Sequence, residues 1–562
     1  VATDASQTLE GIGVSSGVAI GPVVRMADPV RPPADEPSPS DVDEAVTRVR
    51  DALDVVATEL DRRAALASSD AADILTATAM MARDPSLQAS AERRLRDGSG
   101  PATAVDDAVE EVCASLEAVG GYLAERVTDL RDVRDRVVAH LLGAPQPGIP
   151  AVDRPSVLVA HDLAPADTAG LSRDEILAIV TEAGGPTSHT AILAAQMGLP
   201  AVVGIGAGRA ELADGVVVAV DGGSGQVLVA PSEAAQADWR QRAEQRAARL
   251  SAFSGPGRTS DGVPVSLLAN IGTVDDAKAA AEADVEGVGL FRTEFLYLDR
   301  SAAPTIAEQT DTYVAVLQAF GTRRVVVRTL DAGADKPLPF VQHGEEENPA
   351  LGVRGLRLAR RSTALLDDQL AALAAAAQQC EADVWVMAPM VATAEEAQWF
   401  AARARAAGLP KVGVMVEVPA AALRSGDVLA DVDFASIGTN DLTQYTLAAD
   451  RMLGELAPLL DAWQPSVLDL VAATVAGAGD TRSVGVCGEA AGDPLLALVL
   501  VGLGVTSLSM APTKVPAVRA ALALHDHARC AEIAAAARAA TSAETARAAV
   551  VELLAPEARP LA

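Results

Sequence analysis

The sequence predicts a multidomain α/β protein in which a small α/β domain, carrying an inserted all-α helical bundle, is followed by a (β/α)8 barrel of the TIM type. Three observations predict it. At 562 residues the chain is longer than one hydrophobic core serves, so two to four domains are expected. The first 145 residues contain long stretches of apolar positions at helical spacing. Beyond residue 259, short apolar runs alternate with Ala-rich helical stretches, as β/α units do.

Glu10 to Val24 reads as short strands with glycine turns, and the Pro-, Asp- and Ser-rich stretch Pro29 to Pro39 reads as a linker, so residues 1–30 form a first segment. From Asp41 the positions Val42, Val46, Val49, Leu53, Val56 and Leu60 alternate steps of four and three and share one helical stripe. A second stripe runs through Val109, Val112, Leu116, Val119, Leu123, Val127 and Leu130. Two long helices with a shorter helical segment between them make residues 31–145 a bundle. After the Pro/Gly break Pro145 to Pro150, β-rich runs at Ser156 to Ala160, Ile176 to Thr181, Val216 to Val220 and Gln226 to Val229 place an α/β domain over 146–230. Its expected partner is the 1–30 segment. A charged helix, Glu233 to Leu250, and the break Ser254 to Gly257 make 231–258 a linker. The barrel, 259–562, is read from Val265 to Ile271, Gly287 to Phe295, Val325 to Asp331, Val384 to Met390, Val412 to Pro419, Phe434 to Asn440, Ser483 to Glu489 and Ser507 to Met510.

Half of the residues are apolar and only 3% aromatic, a composition for packed helices and strands. A net charge of −31 argues against nucleic acid, which is bound through basic surfaces, and favours a basic protein partner. With four lysines in the chain, an anionic substrate must be held chiefly by arginine. The four cysteines are far apart, which fits a reducing compartment, the cytoplasm, and argues against zinc. No leader pattern or bilayer-length apolar run is read, so membrane insertion is not expected.

Polar residues collect at the ends of the barrel runs: Arg292 and Glu294, Arg328 and Asp331, Glu417, Asn440 and Asp441, Cys487 and Glu489. In such a barrel these ends face one mouth. Arginines, carboxylates, an amide and a thiol around one cavity suit an anionic substrate, and the hard oxygens suit Mg2+. Plainer readings stand beside this. Arg292 and Glu294 equally make a strand-end ion pair, and Cys487 alone reads first as a small core residue.

Separately, Thr181 to Ala194 joins a strand to a helix through a glycine-rich turn and puts His189 at the helix start. Free N–H groups and the helix dipole favour an anion there, and a neutral imidazole is a nucleophile near pH 7. Standing alone, the same turn reads as a polar helix terminus. The glycines at 11, 13 and 17 and at 204, 206 and 208 lack the dinucleotide pattern, and Glu345 to Glu347 reads as a solvated loop.

In combination, Gly184 to Ile192, Gly287 to Phe295, Val327 to Asp331, Ile437 to Tyr445 and Val486 to Glu489 closely resemble the Enzyme I family of the bacterial sugar phosphotransferase system, the phosphoenolpyruvate–protein phosphotransferases. The resemblance runs from about Gly11 to the end of the barrel, in the same order. It implies a swivelling phosphohistidine α/β domain, a helical domain that docks the phosphocarrier HPr, and a barrel that binds phosphoenolpyruvate and pairs into a homodimer. It further implies phosphorylation of His189, supported by Thr168, and phosphoenolpyruvate contacts from Arg292, Arg328, Arg451, Asn440 and Asp441. Glu417 and Asp441 would hold Mg2+, Arg354 would be a further phosphate-side cation, and Cys487 would protonate the enolate to pyruvate. The linker at 231–258 would be the hinge. HPr would meet Leu75, Met80 and Met81 with Asp70 and Asp84 beside them, on a rim where Pro85 and Ser86 replace residues that are often acidic in the family.

Pyruvate phosphate dikinase and phosphoenolpyruvate synthase share these parts but add an ATP-binding domain for which this sequence has no room. A barrel lyase acting on pyruvate-derived enolates would leave the histidine segment without a purpose, and a purely regulatory phosphoprotein would not need the full set of barrel residues.

Overall fold

The computed structural model describes residues 7–559 apart from 16, 27–29, 65–68, 120–121, 145–146, 150–151, 164–170, 172–174, 186–189, 192–193, 195–196, 298–299, 301, 334–337, 339, 342–345 and 451–453; side chains are further left aside at 69–74, 77, 115–119, 122–126, 128, 246–247, 249, 454–455 and 457. The chain divides into two compact units, Val1–Gln245 and Arg246–Ala562.

The first unit is built on one eight-stranded sheet. Its strands are β1 (Gln7–Glu10), β2 (Ile12–Ser15), β3 (Val18–Arg25), β4 (Ser156–Ala160), β5 (Ile176–Thr181), β6 (Ala201–Val203), β7 (Val217–Asp221) and β8 (Gln226–Val229), in the order β1-β8-β7-β3-β4-β5-β6-β2. β3 and β4 are parallel neighbours, with Val23 opposite Val157 and Arg25 opposite Val159. The chain therefore leaves the sheet after β3 and re-enters it one strand away, with the helices lying between in sequence. β6, only three residues long, is absent from the sequence reading because Ala201–Val203 is too short to show a period. β4 and β5 are buried almost throughout, which is why both read as unbroken apolar runs.

Five helices fill the inserted region: α1 (Val42–Ala64), α2 (Ser69–Ala82), α3 (Pro85–Arg96), α4 (Pro101–Val119) and α5 (Tyr122–Leu142). The α1 stripe behaves as its spacing predicts, with Val46, Val49, Leu53, Val56 and Leu60 all buried. The second stripe does not belong to one helix. It is divided between α4 and α5, and the sequence carries two glycines between them, the weakest helix formers after proline. α3 owes its start to Asp84, whose carboxylate accepts from Ser86 N at 2.7 Å and Ser86 Oγ at 2.6 Å, with Pro85 in the first turn. A helix at Glu233–Ser251 follows β8 and continues into the second unit.

The second unit contains a closed barrel of parallel strands: β9 (Ser266–Ile271), β10 (Gly287–Arg292), β11 (Arg324–Arg328), β12 (Asp383–Ala388), β13 (Lys411–Val416), β14 (Phe434–Ile437), β15 (Ser483–Val486) and β16 (Ser507–Met510), with β16 closing on β9. All eight apolar runs of the sequence are these strands. The strands stop sooner than the runs: Glu294, Asp331 and Glu417 lie in the turns that follow, where side chains are free to point across the mouth. Leu290, Val326, Met387, Met415, Phe434 and Cys487 pack inside the barrel, and the larger apolar cluster lies between strands and outer helices. A Cβ on Gly413 would come within 2.5 Å of the Phe434 ring, so this glycine makes room for an aromatic in the barrel interior. Outer helices begin in reciprocal caps, Thr273 with Asp276, Thr305 with Glu308 and Thr393 with Glu396.

Candidate active site

Arg292 and Arg328 end neighbouring strands and are register partners across β10 and β11. Parallel strands in register bring the two guanidinium groups to one side of the mouth. Arg328 is buried and neutralised: Nη2 donates to Glu294 Oε1 at 2.9 Å and Nη1 lies 3.2 Å from Asp331 Oδ2. Burial works against its charge, and Glu294 and Asp331 more than restore it, so its pKa stays above that of free arginine. Its Nε is buried with no hydrogen-bond partner among the described residues.

Arg292 has solvent at its surface but stands among barrel side chains. Burial, and then the neighbouring Arg328 charge, hold its pKa below the ordinary arginine value. Among the described residues it makes no ion pair. The ion pair with Glu294 that the sequence left open is therefore not formed; Glu294 serves Arg328 and the Asp331 N–H, 3.0 Å away.

The carboxylates form a second layer. Asp331 takes two bonds from Arg354, from Nε at 3.1 Å and from Nη2 at 3.0 Å, and Arg354 Nη1 reaches Asp441 Oδ1 at 3.0 Å. Arg354 is 2% exposed, so its planar fork is spent on tying two strand-end segments together. Glu417, 1% exposed, accepts from Met390 N at 2.8 Å. Met390 holds φ at 56°, a left-handed conformation costly for a non-glycine residue and offset here by what its N–H binds. Burial, then the charges of Asp441 and Asp331, push the Glu417 carboxyl up to about 8. Glu417 Oε1 takes no hydrogen bond among the described residues. Two buried carboxylates that repel, one with an oxygen unengaged, are a donor set for a hard divalent cation completed by water or substrate oxygens. No group of three or more His, Cys, Asp or Glu suited to a metal exists among the described residues.

Asn440 stands exposed at the start of the helix Thr439–Leu447 and its Oδ1 accepts from Glu489 N at 3.1 Å. Cys487 is buried at the end of β15, its Sγ 3.7 Å from Ile437 O. Burial pushes its thiol up to about 11. The structure thus brings together Arg292, Arg328, Arg354, Glu417, Asn440, Asp441 and Cys487; Arg451 lies outside the described residues.

His189 and Thr168 also lie outside the described residues. The residues that frame the His189 turn are described. Gly184 follows β5 with φ at 99°, and Thr190, buried in the helix, donates from Oγ1 to Asp162 Oδ1 at 3.0 Å. At the ends of β4 and β5, Glu182 meets His161 Nδ1 at 3.2 Å and Arg209 Nη1 at 3.4 Å, a cluster the sequence reading missed because its members are distant in the chain. In the helical region Met80 is 68% exposed and Met81 partly so, whereas Leu75 is buried at 2%. Leu75, expected on a docking face, instead packs into the bundle core with Leu53 and Leu60, because it lies on the inner stripe of α2. Asp84 is exposed, and the Asp70 side chain lies outside the described residues.

A closed (β/α)8 barrel whose mouth gathers arginines and buried carboxylates is the architecture of an enzyme for a small acidic substrate. Comparison with known proteins narrows this. The family profile for the phosphoenolpyruvate-binding domain of phosphoenolpyruvate-utilising enzymes matches residues 246–527, that for their N-terminal domain residues 10–126, and that for their mobile domain residues 152–225. A phosphoenolpyruvate-protein phosphotransferase of Streptomyces coelicolor is 54% identical over 554 residues, covering 98% of this chain and 100% of the relative. One from Haloferax volcanii is 40% identical over 94% of this chain and 96% of the relative, and one from Geobacillus stearothermophilus 38% over 92% and 93%. The chain belongs to the phosphoenolpyruvate-utilising enzymes and, within them, to the Enzyme I family of phosphoenolpyruvate–protein phosphotransferases. No helix among the described residues is long and apolar enough to cross a membrane.

Proposed function

We propose that this protein transfers the phosphoryl group of phosphoenolpyruvate to His189 and from there to HPr, releasing pyruvate, as the first step of sugar uptake by the phosphotransferase system. The observation that carries this is the Arg292 guanidinium, in no ion pair among the described residues, beside Arg328 with its orphaned Nε, at the mouth of a barrel rich in carboxylates. Two adjacent cations, one of them in no ion pair among the described residues, favour a small anion with several negative oxygens.

In this reading Arg292, Arg328 and Arg451 hold the phosphate and carboxylate of the substrate, and Asn440 adds its amide. Arg354 orients Asp331 and Asp441 beside the phosphate. Glu417 and Asp441 would hold Mg2+, which would supply charge neutralisation to the substrate. The His189 imidazole attacks phosphorus in line; the P–O bond to the enolate breaks and its electron pair stays on the enolate oxygen. Cys487 gives its proton to the methylene carbon, and solvent reprotonates the thiolate. Thr168 supports the phosphorylated ring. The His189 domain swings about the 231–258 linker between the barrel and the helical domain, where Met80, Met81 and Asp84, with Asp70, face HPr. The barrel domain, 259–562, pairs two chains, and the protein works in the cytoplasm.

Incubation with labelled phosphoenolpyruvate and Mg2+ tests this. Acid-labile, base-stable label should map to the peptide containing His189 and vanish in His189→Ala. Label on the His161 peptide, or donor consumed without labelling of the wild type, would overturn it. His525 is no competitor, since both of its ring nitrogens are bonded in the core, to Ala521 O at 2.8 Å and Ala555 N at 3.0 Å.

A further inference from the structure

Behind the mouth, on the outer helix Thr363–Ala377, Gln369 is the only polar side chain among the helix's buried residues. The others, Leu366, Leu370, Leu373 and three alanines, suffice to pack the helix on the strands. A buried amide adds nothing net to such an interface unless its groups are satisfied. Gln369 satisfies them at particular places. Its Oε1 accepts from Leu330 N at 3.0 Å, and its Nε2 donates to Thr293 Oγ1 and to Tyr313 OH, each at 3.0 Å. Thr293 Oγ1 in turn donates to Arg328 O at 2.9 Å.

Two of these partners lie within the site's own backbone. Thr293 separates Arg292 from Glu294, Leu330 precedes Asp331, and the Thr293 hydroxyl carries the link to Arg328. One amide therefore fixes the turns after β10 and β11 that set all four charged groups. We propose that Gln369 is a positioning residue for phosphoenolpyruvate, acting through Thr293 and Leu330 on the arrangement of Arg292, Glu294, Arg328 and Asp331. This rests on the functional reading above. Nothing in it requires Gln369 to touch substrate. Tyr313 is the internal control: its hydroxyl shares the amide but belongs to the outer helix Ile306–Phe320 and makes no hydrogen bond to a charged group of the mouth among the described residues.

The test compares Gln369→Met, which keeps length and loses every hydrogen bond, with Tyr313→Phe, Thr293→Val and Gln369→Glu, in steady-state assays of the full chain with phosphoenolpyruvate. Gln369→Met and Thr293→Val should raise KM about tenfold or more, the loss of roughly one charge-assisted contact, with a smaller fall in kcat. Tyr313→Phe should leave KM within about twofold although it too removes a buried hydrogen bond. Gln369→Glu should recover part of the loss, since it returns the acceptor to Leu330 N. A wild-type KM in Gln369→Met, or an equal rise in Tyr313→Phe, would overturn the proposal. If Gln369→Met does not fold, Thr293→Val decides in the same way. Failure of the wild type to label His189 would instead overturn the functional reading, so the two failures are distinct.

Discussion

Arg292 and Arg328 stand opposite each other at the ends of β10 and β11, yet among the described residues only Arg328 is ion-paired, with Glu294 at 2.9 Å and Asp331 at 3.2 Å. Two like charges side by side destabilise the empty site and reward an incoming anion. Arg292→Ala should therefore leave the melting temperature unchanged or slightly raised while lowering kcat/KM for phosphoenolpyruvate. Loss of charge-assisted bonds worth about 1.5–3 kcal/mol corresponds to roughly 10–150-fold. Steady-state kinetics and thermal melting on one preparation check both halves.

Arg354 behaves in the opposite way, because its donors are engaged by Asp331 and Asp441 inside the protein. Arg354→Ala would take from two buried carboxylates the cation they share, leaving Arg328 beside Asp331, and should cost about 3–5 kcal/mol of stability. Arg354→Lys keeps the charge but cannot reproduce the paired bonds to Asp331, so an intermediate loss is expected. Urea unfolding of the three proteins measures it.

The Cys487 thiol, pushed by burial from about 9 to about 11, carries its proton at neutral pH, as a proton donor must. Its folded pKa lies above the unfolded one, so its contribution to stability is complete below about pH 9 and is lost as pH rises through about 11. Pyruvate formation should show no thiol-dependent fall at neutral pH, and Cys487→Ala should slow it. Unfolding near pH 10 should be less pH-sensitive in Cys487→Ala than in the wild type, a comparison that reads the sign directly.

Ionisation of Glu417 is opposed by burial and by the charge of Asp441, which a divalent cation between them would relieve. Mg2+ should raise the melting temperature of the wild type, and chelation should abolish transfer. Without metal the Glu417 carboxyl, pushed up to about 8, is mostly protonated at neutral pH, so metal-free Glu417→Gln should melt close to the wild type at pH 7 and above it near pH 9, while gaining nothing from Mg2+ and losing activity. Scanning calorimetry with and without the metal follows both effects.

Much of the barrel was legible because parallel strands covered on both faces read as continuous apolar runs, and each of the eight runs is a strand. The helical region was less so. A stripe of apolar residues marks a helix face but does not say where one helix ends, so the spacing predicts one helix where α4 and α5 stand. Three-residue β6 carries no period, and Leu75, which the family resemblance puts on the docking face, lies on a stripe that faces the bundle core. The Glu182 cluster with His161 and Arg209 joins residues whose proximity no local pattern carries.

By itself the sequence determined which residues crowd the barrel mouth, since period and turn signals fix where each strand ends and the ends share one face. Only the tertiary structure decided how those charges divide. Ion pairing depends on distances between segments far apart in the chain, and these made Arg354 a buried tie between Asp331 and Asp441, gave Glu294 to Arg328, and left Arg292 without an ion pair among the described residues.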